Sequence, residues 1–259
     1  MTVDLEMHHF GVPQRRRRVI QLGWRGDTEF RLTIQGRRKP PQLADFLKNL
    51  DGVANHDPRP LLATSRSGLI ARRIRAGQKL CNVRQGPSAV ATWTIPEVFG
   101  RVSPAEIRVL QGLARLRRRD RQRNWGDSDP VRARALSKFV GFPTHPHLTR
   151  LIAAGYVRQL EDRTYDLTHT FNGKYRRAKP RELAPAVDTR FGDAHYVLHP
   201  RAHRAFTVRE AARVQGFPDW FEFFGARRAQ SRMIANAVPP PVAEALAKQI
   251  QQFLTSHDG

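Results

Sequence analysis

Three short stretches carry residue types that could do chemistry together. Near the start, Phe10-Gly11-Val12-Pro13-Gln14-Arg15-Arg16-Arg17-Arg18 sets four consecutive guanidiniums before the apolar run Val19-Ile20-Gln21-Leu22. Much later come Arg204 to Asp219, which includes Arg204, Arg209 and Glu210, and then Asn236-Ala237-Val238-Pro239-Pro240. A guanidinium fixed on a strand is a permanent cation. It can bind phosphate, or it can stabilise negative charge that grows on a reacting group. A solvated basic patch is the competing account of the same run. The single cysteine, Cys81, is the only thiol that could act as a nucleophile. In Leu80-Cys81-Asn82-Val83 it reads as a buried or incidental thiol. The pair His145 and His147 has no nearby carboxylate at ligand spacing, so no metal site is expected. Asp127, Asp129, Glu161 and Asp162 read as surface charges.

Elements must hold these residues in place, and several are legible. Pro13 marks a turn, and Val19 to Leu22 reads as a short strand ended by Gly23. From about Arg31 to Arg101, Pro and Gly punctuate the text, which predicts loops with short helices such as Leu43 to Leu50. Ser103-Pro104-Ala105-Glu106 has the pattern of a capping box with Pro at the first helical position, and Ile107, Leu110, Leu113 and Ala114 then line one face. A second helix is predicted over Val131 to Val140 and a third over Pro146 to Ala154, with Gly155 placed to end it. Tyr156 to Leu160 and Thr164 to Leu167 then read as a hairpin. Three helices followed by a hairpin form a winged helix, over about 103–170. On it, His147, Thr149 and Arg150 belong to the third helix, and Arg158 and Arg163 to the wing; these are expected to touch DNA. An ordinary three-helix packing unit is the alternative. Thr207-Val208-Arg209-Glu210 predicts another capped helix that stops at Gly216, and Val242 to Leu254 carries an apolar stripe in need of a partner surface.

Charge narrows the class of partner by elimination. The 259 residues hold 45 Lys+Arg against 23 Asp+Glu, a formal net charge of +22 that exceeds what solubility needs and predicts a polyanion, usually nucleic acid; with the winged helix above, double-stranded DNA is the expected partner. Four Trp and 14 Phe, with long periodic segments, argue against a disordered basic tail. One cysteine excludes an internal disulfide framework and a multi-thiolate metal site. No signal peptide and no spanning apolar run is evident, so no membrane partner is expected, and a cytoplasmic, nucleoid-associated protein is the simplest expectation.

Together the three stretches resemble the bacterial DNA cytosine methyltransferases that modify carbon 5. Gly11 to Arg18 is similar to that family's G-x-P-Q-x-R-x-R motif, Arg204 to Asp219 to its R-x-L-T-x-R-E-x-A-R-x-Q-x-F-P-D motif, and Asn236 to Pro240 to its final motif, with Ala235 where a Gly is usual. The resemblance implies an α/β fold, the carboxy-terminal part of a Rossmann-like methyltransferase that uses S-adenosylmethionine, with an inserted target-recognition region. It implies a catalytic-domain fragment at 1–35, recognition at 36–190, and a return to the catalytic domain at 191–259. By the same resemblance Arg18 faces the carbonyl oxygen of a flipped cytosine, while Gln14 and Arg16 shape that pocket. Asn236, Ala237 and Val238 then line the methyl-donor site. Arg204, Arg209 and Glu210 brace the domain, and Lys174 and Arg190 contact phosphates. The family's P-C-Q nucleophile, its E-N-V acid and its glycine-rich donor motif have no counterpart in these residues. Catalysis is therefore expected to need a separate polypeptide that carries them. A truncated, inactive remnant and a stand-alone winged-helix DNA-binding protein remain as alternatives.

Overall fold

Alternating apolar residues on either side of the first turn begin the structure. In the computed structural model, which describes residues 1–24, 39–83, 86–126 and 128–256, Thr2–Glu6 forms β1. A turn at Gly11, in the left-handed region at φ 83°, leads to β2 (Gln14–Arg15) and β3 (Arg17–Gln21). The chain continues through α1 (Arg66–Arg73), β4 (Lys79–Cys81), β5 (Ala89–Ala91), α2 (Pro96–Phe99) and α3 (Pro104–Arg119). Next come β6 (Val131–Arg132), α4 (Ala133–Val140), α5 (His145–Ala153), β7 (Val157–Gln159), β8 (Thr164–Leu167) and β9 (Arg176–Arg177). It closes with β10 (Ala184–Pro185), β11 (Val197–Leu198), α6 (Val208–Gln215), α7 (Arg227–Asn236) and α8 (Pro240–Thr255). The architecture is mixed α/β. Residues 25–35 of the expected first segment, and Asp127, lie outside the described residues. Among the described residues no helix is long and apolar enough to cross a membrane.

The chain forms two compact units, 1–60 with 178–259, and 61–177, so their limits fall inside the span 36–190 read from the sequence. In the first unit β1 and β3 pair antiparallel, with Leu5 opposite Arg18, and β2 pairs in parallel with β10. Leu5, Met7 and Val12 pack against Val242 of α8, with Ile20 and Leu246 at the margin. Part of the apolar stripe on α8 therefore finds its partner within the unit, while Leu254, farther along, is 53% exposed. A second cluster packs Val208, Ala211, Ala212 and Val214 of α6 against Leu43, Val187, Phe191, Phe206 and Ile234.

In the second unit Ser103 and Glu106 close the capping box on α3, each bonded to the other's backbone amide. The helix expected over Val131 to Val140 begins two residues late, because Val131 and Arg132 pair with Tyr165 and Thr164 as strand β6. The resulting three-stranded sheet has the order β6-β8-β7. Its core joins Val109, Leu110, Leu113 and Leu116 of α3 to Leu136, Val140, Leu148, Leu151 and Leu167. Gly112 lets α4 approach α3 closely: a Cβ there would meet Leu136 Cδ1 at 2.9 Å and Phe139 Cδ1 at 3.2 Å. The segment expected to be loops also holds a parallel pair, β4 with β5, which no local pattern in the sequence suggests.

Candidate functional site

The arginine run lies where β2 passes into β3, and the structure treats its four members differently. Arg15 pairs with Glu182 at 3.0 Å and Arg17 with Asp4 through Nε at 2.6 Å. Arg16 is buried, and its two terminal nitrogens donate to the carbonyls of Val187 at 2.8 Å and Ala235 at 2.9 Å. Its Nε, also buried, has no partner among the described residues. Burial, and then the charge of Arg18, hold the Arg16 guanidinium below the usual arginine range. Arg18 is exposed, donates to the carbonyl of Arg17 at 2.8 Å, and has no carboxylate partner among the described residues. Of the four it is the exposed cation that lacks a carboxylate partner among the described residues.

Gln14, on β2, ties the segment that leads into β3 to distant chain. It is fully buried, donates to Val214 O at 3.2 Å and Gln215 Oε1 at 2.6 Å, and accepts the Val187 amide at 3.0 Å. Gln215 passes the link on by donating to Ala237 O at 2.7 Å. Residues 14–16, 187, 214–215 and 235–237 are thereby fastened to one another by buried hydrogen bonds, each costly to leave unmade. The strand that carries Arg18 and the turn after α7 are held in one framework. Sequence reasoning misses Gln215 and Val187; Gln215 stands within the second motif, but nothing in its spacing marks it as the joint.

Asn236 ends α7, and Asn236 and Val238 are exposed while Ala237 is half-buried. Ala235, the residue in place of Gly, is a buried helical residue without positive φ, so its Cβ demands no strained backbone. The carbonyls of 235 and 237 are engaged by Arg16 and Gln215, which leaves the Asn236 and Val238 side chains exposed beside them. A fixed turn with an exposed side-chain amide next to an exposed apolar side chain suits a ligand with polar and apolar parts.

Of the residues expected to brace the unit, Arg209 and Glu210 are its most deeply set charges, and Arg204 is buried less deeply. Arg204 grips Glu210 with both terminal nitrogens at 2.7 Å, and Glu210 also accepts the Thr207 amide in the capping box of α6, so it does more than cap. Burial alone would raise the Glu210 carboxyl; Arg204 and the Thr207 amide outweigh it and keep the group below its ordinary value. Arg209 is fully buried and donates to the carbonyls of Ala54, Pro218 and Phe221. Asn55, at φ 64°, completes this joint by bonding both backbone groups of Phe223. The tolerance of Asn for left-handed backbone is the one signal in the sequence that could have found it.

The expected DNA-contacting residues fare unequally. Arg150 of α5 is bound by the Glu106 carboxylate through Nε and, at 2.6 Å, through a terminal nitrogen. Thr149 bonds back to the carbonyl of His145, and His147 rests its ring on Phe142. Arg158 donates to Asp166 at 3.1 Å, beside the buried pair of Arg117 with the same carboxylate. Arg163 sits in the β7–β8 turn at φ 57°, exposed and without a side-chain partner among the described residues. Lys174 is half-buried, and its backbone bridges to Leu80. In the first unit, Arg190 is held by Asp188 and lies over Tyr196. Shortly before it, Ala184 and Pro185 pair with Gln14 and Arg15 of β2. Cys81 is buried and donates to Asn172. Asp129, expected to be a plain surface charge, is lowered to about 2 by Arg123 and two backbone amides.

Comparison with known proteins gives this geometry a relationship. A type II methylase of Herpetosiphon aurantiacus, M.HgiEI, is 27% identical over 95% of this chain and 64% of its own length. A second from that organism, M.HgiBI, is 30% identical over 66% of this chain and 44% of its own length. DNA (cytosine-5)-methyltransferase 1 of Mus musculus is 52% identical over 60 residues, 23% of this chain and 4% of its own length. The chain thus spans less than two thirds of the length of these relatives. The sequence pattern of the C-5 cytosine-specific DNA methylases matches residues 4–252, and the chain belongs to that family.

Proposed function

We propose that this chain takes part in methylating carbon 5 of cytosine in duplex DNA, with S-adenosylmethionine as donor. In this reading the first unit is the carboxy-terminal part of a Rossmann-like methyltransferase domain, and the second is a winged-helix recognition unit. The observation that carries it is the isolation of Arg18. Among four adjacent arginines, three are engaged by a carboxylate or by distant backbone carbonyls, and Arg18, on β3, keeps a guanidinium without a carboxylate among the described residues. Nucleophilic addition to carbon 6 of cytosine drives negative charge onto the ring and its carbonyl oxygen, and a fixed cation at that oxygen stabilises the transition state. Gln14 and Arg16 position the strand from behind instead of lining the pocket. Asn236, Ala237 and Val238 hold the donor, which supplies an electrophilic methyl group when bound.

The thiolate and the acid come from residues outside this sequence, on a separate polypeptide. Cys81 does not serve, being buried and hydrogen-bonded to Asn172. Val19 on β3 and Leu254 on α8, 58% and 53% exposed, are apolar surface such a partner would cover. The second unit supports DNA docking by its element order of helix, strand, two helices and hairpin. Arg18→Ala, assayed as transfer of labelled methyl to duplex DNA with the complementary polypeptide present, should lower the rate by about 10²–10³. Full activity in that variant would remove Arg18 from the mechanism.

A further inference from the structure

The cations expected to hold DNA from α5 and the wing are largely spent inside the second unit, and a different face keeps its cations available. Along α3 beyond Pro104 the exposed residues are Arg108, Gln111, Arg115, Arg118 and Arg119, at helical spacing on its outer side. Asp120 at the end of the helix is paired with Arg119. Arg115 and Arg118 have no side-chain partner among the described residues, and neither do Arg134 and Lys138 on the exposed side of α4. Gly112 brings α4 against α3, which merges the two helices into one surface. Two further guanidiniums are held across the seam: Arg108 donates to the Val140 carbonyl and lies 4.9 Å from the Phe142 centroid, and Arg119 lies 5.7 Å from that of Phe139. By contrast, the outer side of α5 shows His145, Pro146, Thr149, Arg150 and Ala153, whose one permanent cation is held by Glu106.

We propose that the α3–α4 face is a phosphate-backbone docking surface for duplex DNA, and that it supplies more of the sequence-independent affinity than α5 does. The inference rests on the DNA-methylating role proposed above. From Arg108 to Arg119 the helix rises about 16 Å. That is roughly five base-pair steps of a duplex, enough to meet several phosphates of one strand. Cations without internal partners break no ion pair when they turn to phosphate, whereas Arg150 and Arg158 would first have to leave Glu106 and Asp166. Arginine also offers paired donors to phosphate oxygens, which suits a surface that binds backbone without reading bases.

The test is the salt dependence of binding of the full chain to a duplex, measured for wild type, Arg115→Ala/Arg118→Ala and Arg72→Ala/Arg73→Ala. Arg72 and Arg73 end α1 and match the first pair in charge removed and in exposure. Removing one arginine that binds a phosphate should flatten the slope of log K against log salt by about one. The 115/118 variant should therefore drop by about two in slope, equally on unrelated duplexes, and the 72/73 variant should stay near wild type. Arg115→Lys/Arg118→Lys should restore the slope, which separates loss of charge from loss of folding. Equal changes in both alanine variants, or an unchanged slope in the 115/118 variant while wild type binds, would overturn the face and leave the DNA role standing. A face that received an acidic protein would also give that second result. Wild type that binds no duplex at any salt would defeat the DNA role itself, and the face with it.

Discussion

At the scale of residues, the structure separates arginines that carry charge outward from arginines that hold the chain together. Arg16 and Arg209 spend their donors on carbonyls inside the first unit, and Arg204 spends its donors on Glu210. Glu210 is the most consequential of these joints because it serves a cap and an ion pair at once. Glu210→Gln should cost about 3–5 kcal/mol, since it leaves a largely buried guanidinium without its counter-charge. The pH dependence has a definite sign. The folded-state pKa is depressed, so this contribution is complete above the unfolded glutamate value of about 4.3 and is lost as pH falls through the folded value. Thermal melting followed from pH 7 downward should therefore show a weaker acid dependence in the variant. An unchanged melting temperature at pH 7 would mean that the pair adds nothing. In the sequence, the resemblance singles out Arg204, Arg209 and Glu210, and the capping pattern alone marks Glu210. That Gln14 and Arg16 face backbone is not, because which carbonyl a buried side chain meets depends on chain far away in sequence.

At the scale of elements, local patterns are legible where a single stretch determines them. The two capping boxes and the Gly216 stop are properties of a few neighbouring residues, and they appear as expected. Strands are harder. Thr2–Glu6 carries the alternation of Val3 and Leu5 but is only five residues long, and β6 replaces an expected helix start because Tyr165 and Thr164 offer it a ladder. Pairing of that kind is non-local and leaves little trace in one segment. The α3–α4 packing makes an equally specific claim. Gly112→Leu must drive several atoms into the Leu136, Phe139 and Val140 side chains, where a Cβ alone would meet a neighbour at 2.9 Å. It should destabilise the chain by about 1–3 kcal/mol in denaturant unfolding, despite the better helix propensity of Leu. A gain in stability would mean that the helices can separate freely and that the merged basic face is not a fixed surface.

At the scale of the whole molecule, charge and family membership point the same way. A net charge of +22 asks for a polyanion, and membership in the C-5 cytosine-specific DNA methylases is consistent with DNA as that polyanion. What the chain contributes is uneven: an outward cation in Arg18, an exposed turn at Asn236 to Val238, and an extended basic surface, but one buried thiol. The central claim is that the nucleophile comes from outside these residues while the charge-stabilising arginine comes from within them. Transfer of labelled methyl from S-adenosylmethionine to duplex DNA tests it directly, with the chain alone, with the complementary polypeptide, and with that polypeptide plus Cys81→Ser. No transfer by the chain alone, and equal transfer by wild type and Cys81→Ser in the mixture, is the predicted result. Transfer by the chain alone, abolished by Cys81→Ser, would contradict it.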